Sequence, residues 1–235
     1  MKNTILLLVL FISVAAFAQK ITGDELLEKS INFHDPTGNW DTFHGELIVT
    51  METPKGAQRK SSIQIHLPKQ YFSVETARDS IVTKQIVHKE VCSFAINGIT
   101  NLSEELIEKY SLNCKRAKMF KNYYTYLYGL PMKLKDKGTI VDQTVTTKTF
   151  KGKEYLVLKV NYSKEVGKDT WYFYFDPKTY AMEVYQFFKE VKNSGEYILL
   201  SGLETINNIK MPKNRAWYYN KDDGYLGTDI LSSKK

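Results

Sequence analysis

The stretch "TWYFYFDP" at residues 170–177 has an aromatic side chain at every position between its threonine and its Asp-Pro turn. Neighbouring side chains of a β-strand point to opposite faces, so Trp171, Phe173 and Phe175 share one face and the two tyrosines between them share the other. The tyrosine hydroxyls can meet water, whereas the Trp and Phe rings favour burial. The stretch therefore predicts a strand with one dry face.

Strands of the same kind are predicted along most of the chain. "GELIVTME" at 45–52 and "SSIQIHL" at 61–67 alternate apolar and polar side chains, and "VYQFF" at 184–188 follows the turn after the aromatic strand. Turn residues recur about once in ten positions, which is typical of a single antiparallel sheet or barrel. We expect roughly nine to eleven strands.

Three helices are predicted, over about 23–33, 101–110 and 115–128. The first has Thr22 and Glu25 at the spacing of a capping box. The last ends before the Gly and Pro that follow it, as helices commonly do.

These elements predict an α+β fold. A strongly twisted sheet of this size tends to curl, and helices can then cover the apolar face that the curl encloses. We therefore expect one long curled antiparallel sheet, which is an incomplete β-barrel, with about three helices packed on its concave, open side. No internal repeat or low-complexity linker divides the chain, so residues 19–235 are predicted to form a single open-barrel domain.

The first twenty residues have the layout of a secretory signal peptide. Lys2 supplies the positive start, Ile5 to Phe17 an apolar run, and "AFA" a small-residue cleavage site. The run is shorter than the ~20 residues that a membrane anchor, the alternative reading, needs. We predict a signal peptide over 1–18, cleaved after Ala18, and a periplasmic or secreted protein. No cysteine follows the cut that would carry a lipid.

Cys92 and Cys114 are the only cysteines. Outside the cytoplasm an even count indicates a disulfide, and this one would enclose the second predicted helix. Two separate buried thiols are the alternative. The spacing does not match a CxxC redox pair or a zinc knuckle.

The net charge of +7 is mildly basic, with 33 Lys and Arg against 26 Asp and Glu. The lysines are scattered, and "KMPKNR" at 210–215 is the densest patch. Such a patch is either a solvated surface or a site of attraction to anionic lipid or another acidic surface. No nucleic-acid-binding module is present, so we expect no nucleic acid partner.

Sequence motifs for catalysis are absent. The chain has no GxSxG elbow, Walker loop, HExxH or Gly-rich dinucleotide fingerprint. His34, His44, His66 and His88 lack metal-ligand spacing and are interpreted as surface or turn residues. We predict that the protein is not an enzyme and has no cofactor and no metal. An unrecognised hydrolase is kept as a third hypothesis, because carboxylates distant in sequence can meet in space.

The aromatic run has three explanations: an ordinary β core, the lining of a cavity for an acyl chain, or a surface for a partner. A half-closed sheet capped by helices is a shape that binds apolar molecules. If the cavity reading holds, the dry faces of four strands supply its lining: Trp171, Phe173, Phe175, Phe187, Leu47, Val49, Met51, Ile63 and Ile65.

"YLYGLPMKL" at 126–134, "TWYFYFDPKTYAMEVYQFF" at 170–188 and "LGTDIL" at 226–231, together with the leader, resemble an uncharacterised family of secreted bacterial proteins. The order of elements and the Phe-Asp-Pro turn also resemble the superfamily of periplasmic outer-membrane lipoprotein carriers. The second resemblance implies a hydrophobic cavity that shelters lipid or acyl chains in a Gram-negative periplasm. No binding residue is carried over, because no motif aligns residue by residue.

The sequence thus favours a periplasmic binding or carrier protein for a lipid-like or acylated ligand. The expected partners are a hydrophobic small molecule or acyl chain and, beyond it, a membrane surface or a lipoprotein. The alternative is a non-catalytic envelope interaction or structural module with a filled core.

Overall fold

A computed structural model describes residues 20–78, 80–191 and 194–233. The predicted signal peptide and its cut after Ala18 lie outside the described residues. The α-helices are two longer ones and a six-residue one between them: α1 (Gly23–His34), α2 (Glu104–Lys109) and α3 (Cys114–Gly129). Short 3₁₀ turns occupy Trp40–Thr42 and Met132–Lys135.

The described residues contain thirteen strands: β1 (His44–Thr53), β2 (Gly56–His66), β3 (Tyr71–Arg78), β4 (Ile81–His88), β5 (Val91–Ile96), β6 (Thr139–Val141), β7 (Thr146–Phe150), β8 (Lys153–Tyr162), β9 (Thr170–Phe175), β10 (Met182–Phe188), β11 (Glu196–Ile206), β12 (Ile209–Tyr219) and β13 (Tyr225–Ser233).

All thirteen strands belong to one antiparallel sheet, in the order β5-β4-β3-β2-β1-β13-β12-β11-β10-β9-β8-β6, with β7 also pairing with β8. The two ends, β5 and β6, do not pair with each other, so the curled sheet is an open barrel, as predicted. The strand count exceeds the expected one partly because residues 139–150 contain two short strands, β6 and β7. A turn separates β6 from β7. In this turn the Asp142 carboxylate accepts a hydrogen bond from the Thr144 amide at 2.9 Å.

The two faces of the sheet follow the predicted alternation. Phe173 and Phe175 lie in the large core of the concave face and are fully buried. The tyrosine face of β9 is drier than expected, because Tyr174 packs against Phe150 of β7, with 5.2 Å between ring centroids. The Tyr174 hydroxyl still has a polar partner, since it donates to Gln186 at 2.7 Å.

Helix α1 packs tightly against the sheet. Its capping box is formed as predicted, with the Thr22 and Glu25 side chains each bonded to the other residue's amide. A Cβ on Gly23 would lie only 2.1 Å from the Asp142 carbonyl oxygen, so this first residue must be glycine for the helix to lie so close.

The reading of the histidines as surface or turn residues is wrong for His34. This side chain is fully buried. Its Nε2 accepts a hydrogen bond from the Met182 amide at 3.0 Å, which leaves Nδ1 to donate to the Lys210 carbonyl at 2.6 Å. His34 therefore ties α1 to β10 and β12 as a neutral imidazole. Among the other three, His44 and His88 are exposed.

The sulfurs of Cys92 and Cys114 are bonded in the structure, with 5.5 Å between the two Cα atoms. The link joins the edge strand β5 to the first residue of α3, and α2 lies in the loop of 22 residues that it closes.

Loss of this disulfide is expected to cost about 3 kcal/mol of stability, because the cross-link restricts the unfolded chain. The Cys92→Ser/Cys114→Ser double variant should unfold at lower urea concentration than the parent. Dithiothreitol should lower the unfolding midpoint of the parent to that of the variant and leave the midpoint of the variant unchanged. Thiol labelling of the unreduced parent that adds two groups per chain would contradict the bridge.

Candidate functional site

Helix α3 covers the concave face of the sheet and leaves an open cleft on each side. Tyr124, Leu127 and Tyr128 form its buried side and belong to the concave core. The first cleft lies between α3 and strands β2–β4, and the second between α3 and strands β8–β9. Both fall within the size range of small-molecule sites.

The first cleft, here called the cationic cleft, has a volume of about 410 Å³. The sheet supplies its floor and α2, α3 and the loop between them supply its roof. The lining residues are Arg59, Val74, Thr76, Arg78, Ile81, Thr83, Gln85, Lys109, Tyr110, Ser111, Arg116, Phe120 and Tyr124.

Four of these lining residues are cations and none is an Asp or Glu. Arg59 and Arg78 come from the floor, and Lys109 and Arg116 from the roof. No ion pair within the described residues involves any of the four. Positive charge on opposite walls of one cleft creates a field that attracts an anion.

Two buried polar atoms in this cleft have no hydrogen-bond partner among the described residues: Gln85 Oε1 and Arg59 Nε. The Gln85 side chain is only 6% exposed. Buried polar atoms of folded proteins are nearly always paired, and an unpaired one costs about 1–3 kcal/mol. Both residues line the cleft, so these two atoms are unused hydrogen-bonding groups at its floor.

The second cleft, here called the aromatic cleft, has a volume of about 440 Å³. Tyr126, Tyr162 and Trp171 line it, and the hydroxyls of the two tyrosines are hydrogen-bonded to each other. Burial raises the pKa of Tyr162 to about 12, so this hydroxyl stays neutral at physiological pH. Trp171 stacks on Phe187 with 4.8 Å between ring centroids.

A row of three charged residues and one methionine crosses the core beneath α3. Arg215, Asp229, Met51 and Arg59 lie opposite one another in turn on β12, β13, β1 and β2. Burial raises the pKa of Asp229, and the nearby guanidinium groups of Arg215 and Arg59 oppose that rise. The row connects the floor of the cationic cleft with the centre of the sheet.

The structure brings the nine predicted lining residues together in two cross-strand groups. In the first, Phe187 lies opposite Trp171 across β9 and β10; in the second, Leu47 lies opposite Ile63 across β1 and β2. The core of the concave face contains six of the nine at its centre and Trp171 and Phe187 at its margin. Met51 lies beside them, with its sulfur 3.3 Å from an Arg59 nitrogen.

Most of these nine side chains pack against one another instead of facing open space. Leu47, Ile63, Phe173 and Phe175 have no exposed surface. Of the nine, Trp171 lines the aromatic cleft, and the other eight line neither cleft. The open space of the concave side therefore lies around α3, above the residues that the sequence singled out.

The sequence interpretation missed the polar floor of the cationic cleft. On β2, Arg59 is an even number of positions from Ile63 and Ile65, so its side chain is expected on the same face as theirs. On β3, Arg78 is an even number of positions from Val74. Alternation alone therefore places both arginines on the dry face. The patch "KMPKNR" was also misread in part as solvated. Its last residue, Arg215, is 1% exposed, because carbonyl groups and a tyrosine ring surround it.

The described residues contain no helix that is both long and apolar enough to cross a membrane. Within the same part of the chain, no three His, Cys, Asp or Glu side chains are grouped as a metal site would require.

The fold is LolA-like. A LolA superfamily protein from Nitrosomonas europaea superposes with a TM-score of 0.53 at 10% identity, over 91% of this chain and 92% of that chain. A putative outer membrane lipoprotein-sorting protein domain from Vibrio parahaemolyticus has a TM-score of 0.49 at 11% identity, over 90% of each chain. A DUF1329 family protein from Desulfovibrio piger has a TM-score of 0.43 at 9% identity, over 90% of this chain and 92% of that one. Identities this low show a common fold alone.

The chain belongs to DUF6503, a family of unknown function whose model matches residues 2–233. This match and the LolA-like fold confirm the two resemblances stated from the sequence. None of the curated proteins compared with the chain matches it.

Proposed function

We propose that the protein is a non-catalytic carrier or binding protein for a lipid-like or acylated hydrophobic ligand, held on the concave side of the open barrel beside α3. The observation that carries the proposal is the pair of clefts at this helix, each of which has apolar or aromatic side chains on part of its wall beside polar ones. The LolA-like fold supports it, since the similar structure from Nitrosomonas europaea is that of a LolA superfamily protein.

Binding would come mainly from the burial of acyl surface, at about 25 cal/mol per Å². Trp171 then contacts the ligand directly, and the other eight residues predicted from the sequence form the packed layer that supports the floor of the binding side. The apolar wall of the cationic cleft, which includes Val74, Ile81 and Phe120, provides further contact.

The leader supports an exported location for this activity. We propose that residues 1–18 are removed after Ala18 and that residues 19–235 then act as a single open-barrel domain in the periplasm or outside the cell. A membrane surface or a lipoprotein is the partner that would deliver or receive such a ligand.

A filled-core interaction or structural module is the second candidate. The observation in its favour is the complete burial of Leu47, Phe173 and Phe175, which leaves no space next to these side chains.

Extraction of lipid from the exported, purified protein distinguishes the two candidates. We expect mass spectrometry to find about one acyl-bearing molecule per chain. Thr83→Phe, which narrows the cationic cleft, should lower the retained lipid at least about fivefold. Thr147→Phe, at an exposed position on β7, is the matched control and should retain the parent amount.

Lipid-free protein that also fails to bind a fluorescent fatty acid would contradict the carrier and leave the structural module.

A further inference from the structure

We propose that the ligand is an anionic amphiphile whose carboxylate or phosphate headgroup binds in the cationic cleft, between Arg59 and Arg78 on the sheet and Arg116 on α3. This inference rests on the proposed function and adds the chemical class of the ligand. It follows from the charge, the unpartnered polar atoms and the apolar wall of one cleft.

The charge of the cleft selects a negative group. Its cations repel one another, and none of the described residues that line the cleft is a carboxylate, so an entering anion relieves that repulsion. Within the core, the Asp229 carboxylate interacts with the Arg59 guanidinium. At the cleft, no acidic side chain of the described residues forms an ion pair with Arg78, Lys109 or Arg116.

The geometry of the cations suits an oxyanion. Arginine presents several N–H donors in a planar fork that matches the oxygens of carboxylate and phosphate. The Arg116 guanidinium lies over the Phe120 ring, 5.4 Å from its centroid, which holds the roof donor in place. On the floor below, Arg59 Nε is a buried donor that has no partner in the described part of the chain.

The same cleft provides a surface for the chain that carries the headgroup. Val74, Ile81, Phe120 and Tyr124 form its apolar wall. Tyr124 is also part of the concave core, with its ring 6.4 Å from that of Phe72. A headgroup held by the arginines thus places its chain against the covered side of the sheet.

The test compares amphiphiles that share a ten-carbon chain and differ in headgroup. Delipidated mature protein is titrated calorimetrically, below micelle-forming concentrations, with decanoate, decyl phosphate, decyl maltoside and decylammonium. We expect the two anions to bind at least about tenfold tighter than the neutral maltoside, and the cation to bind more weakly than the maltoside. The preference should shrink as salt rises to about 0.5 M.

The variant Arg78→Gln/Arg116→Gln removes two charges from opposite walls. It should weaken the binding of decanoate or decyl phosphate at least about tenfold and change the affinity for decyl maltoside by less than about twofold. Lys148→Gln/Lys213→Gln removes the same charge from exposed positions outside the cleft and should leave every affinity unchanged. Arg59 is kept, since it also contacts Met51 in the floor.

The same titrations distinguish the two possible sources of the anionic headgroup. Tighter binding of decyl phosphate assigns a phospholipid headgroup, and tighter binding of decanoate assigns a free fatty acid. Equal affinity for the anions and the maltoside would overturn the headgroup inference and leave the hydrophobic carrier standing. No binding of any of the four compounds would overturn both.

Discussion

Arg215→Met is expected to lower the free energy of unfolding by about 3 to 5 kcal/mol, because it removes a buried guanidinium and leaves the polar and charged groups around it without that partner. Arg215 is 1% exposed and donates to the carbonyls of Pro212 at 2.7 Å and Leu127 at 3.4 Å. Its guanidinium lies 3.9 Å from the centroid of the Tyr128 ring. The substitution leaves these acceptors and the Asp229 carboxylate buried without it.

Urea unfolding of three further variants provides a control for this prediction and an outcome that would contradict it. Lys213→Met, at an exposed position two residues away, should change stability by less than about 0.5 kcal/mol. The double variant Arg215→Met/Asp229→Leu should lose less stability than the two single substitutions lose together, because it leaves neither charge alone in the core. Strictly additive losses would show that the two charges do not interact.

Acidification from pH 6.5 to 4 is expected to destabilise the protein by roughly 2 to 3 kcal/mol through His34 alone. Burial is the main cause that lowers the pKa of His34 to about 4; the charges of Lys210 and Arg215 contribute to the decrease, and the hydrogen bond to the Lys210 carbonyl opposes it. Between these pH values the unfolded chain binds a proton at His34 and the folded chain does not. The contribution of His34 to stability is therefore complete above pH 6.5 and is lost as the pH falls through 4.

The measurement is the free energy of unfolding as a function of pH for the parent and for His34→Gln. The variant should be less stable at pH 7 and should lack this part of the pH slope. His88→Gln removes an exposed histidine and should keep the parent slope in this window. Parent and His34→Gln curves that run parallel from pH 6.5 to 4 would contradict the burial of a neutral imidazole.

The periodicity of the strands predicted the faces of the sheet well. Trp171, Phe173 and Phe175 lie on the concave face as expected, since a strand has only two faces and the burial of apolar rings decides which one is dry. Thr22 and Glu25 also predicted the start of α1, because a capping box depends on contacts three residues apart.

The location of the open space could not be predicted in this way. Whether Phe173 lines a cavity or is packed depends on how closely α3 and the neighbouring strands approach it, and these are distant in sequence. The same limit explains His34, whose two partners, Met182 and Lys210, lie far along the chain. Arg215 was misread because only its tertiary neighbours make burial of its charge tolerable.

The sequence by itself determined local features: the alternation that divides each strand into a dry and a wet face, the helix start at Thr22, and the antiparallel order of short strands joined by turns. These depend on interactions between residues close in the chain. Tertiary structure alone decided that α3 lies between two clefts, that the arginines of one cleft face each other, and that the predicted lining is mostly core. Those outcomes depend on distances between elements, which the curl of the sheet fixes and no local pattern encodes.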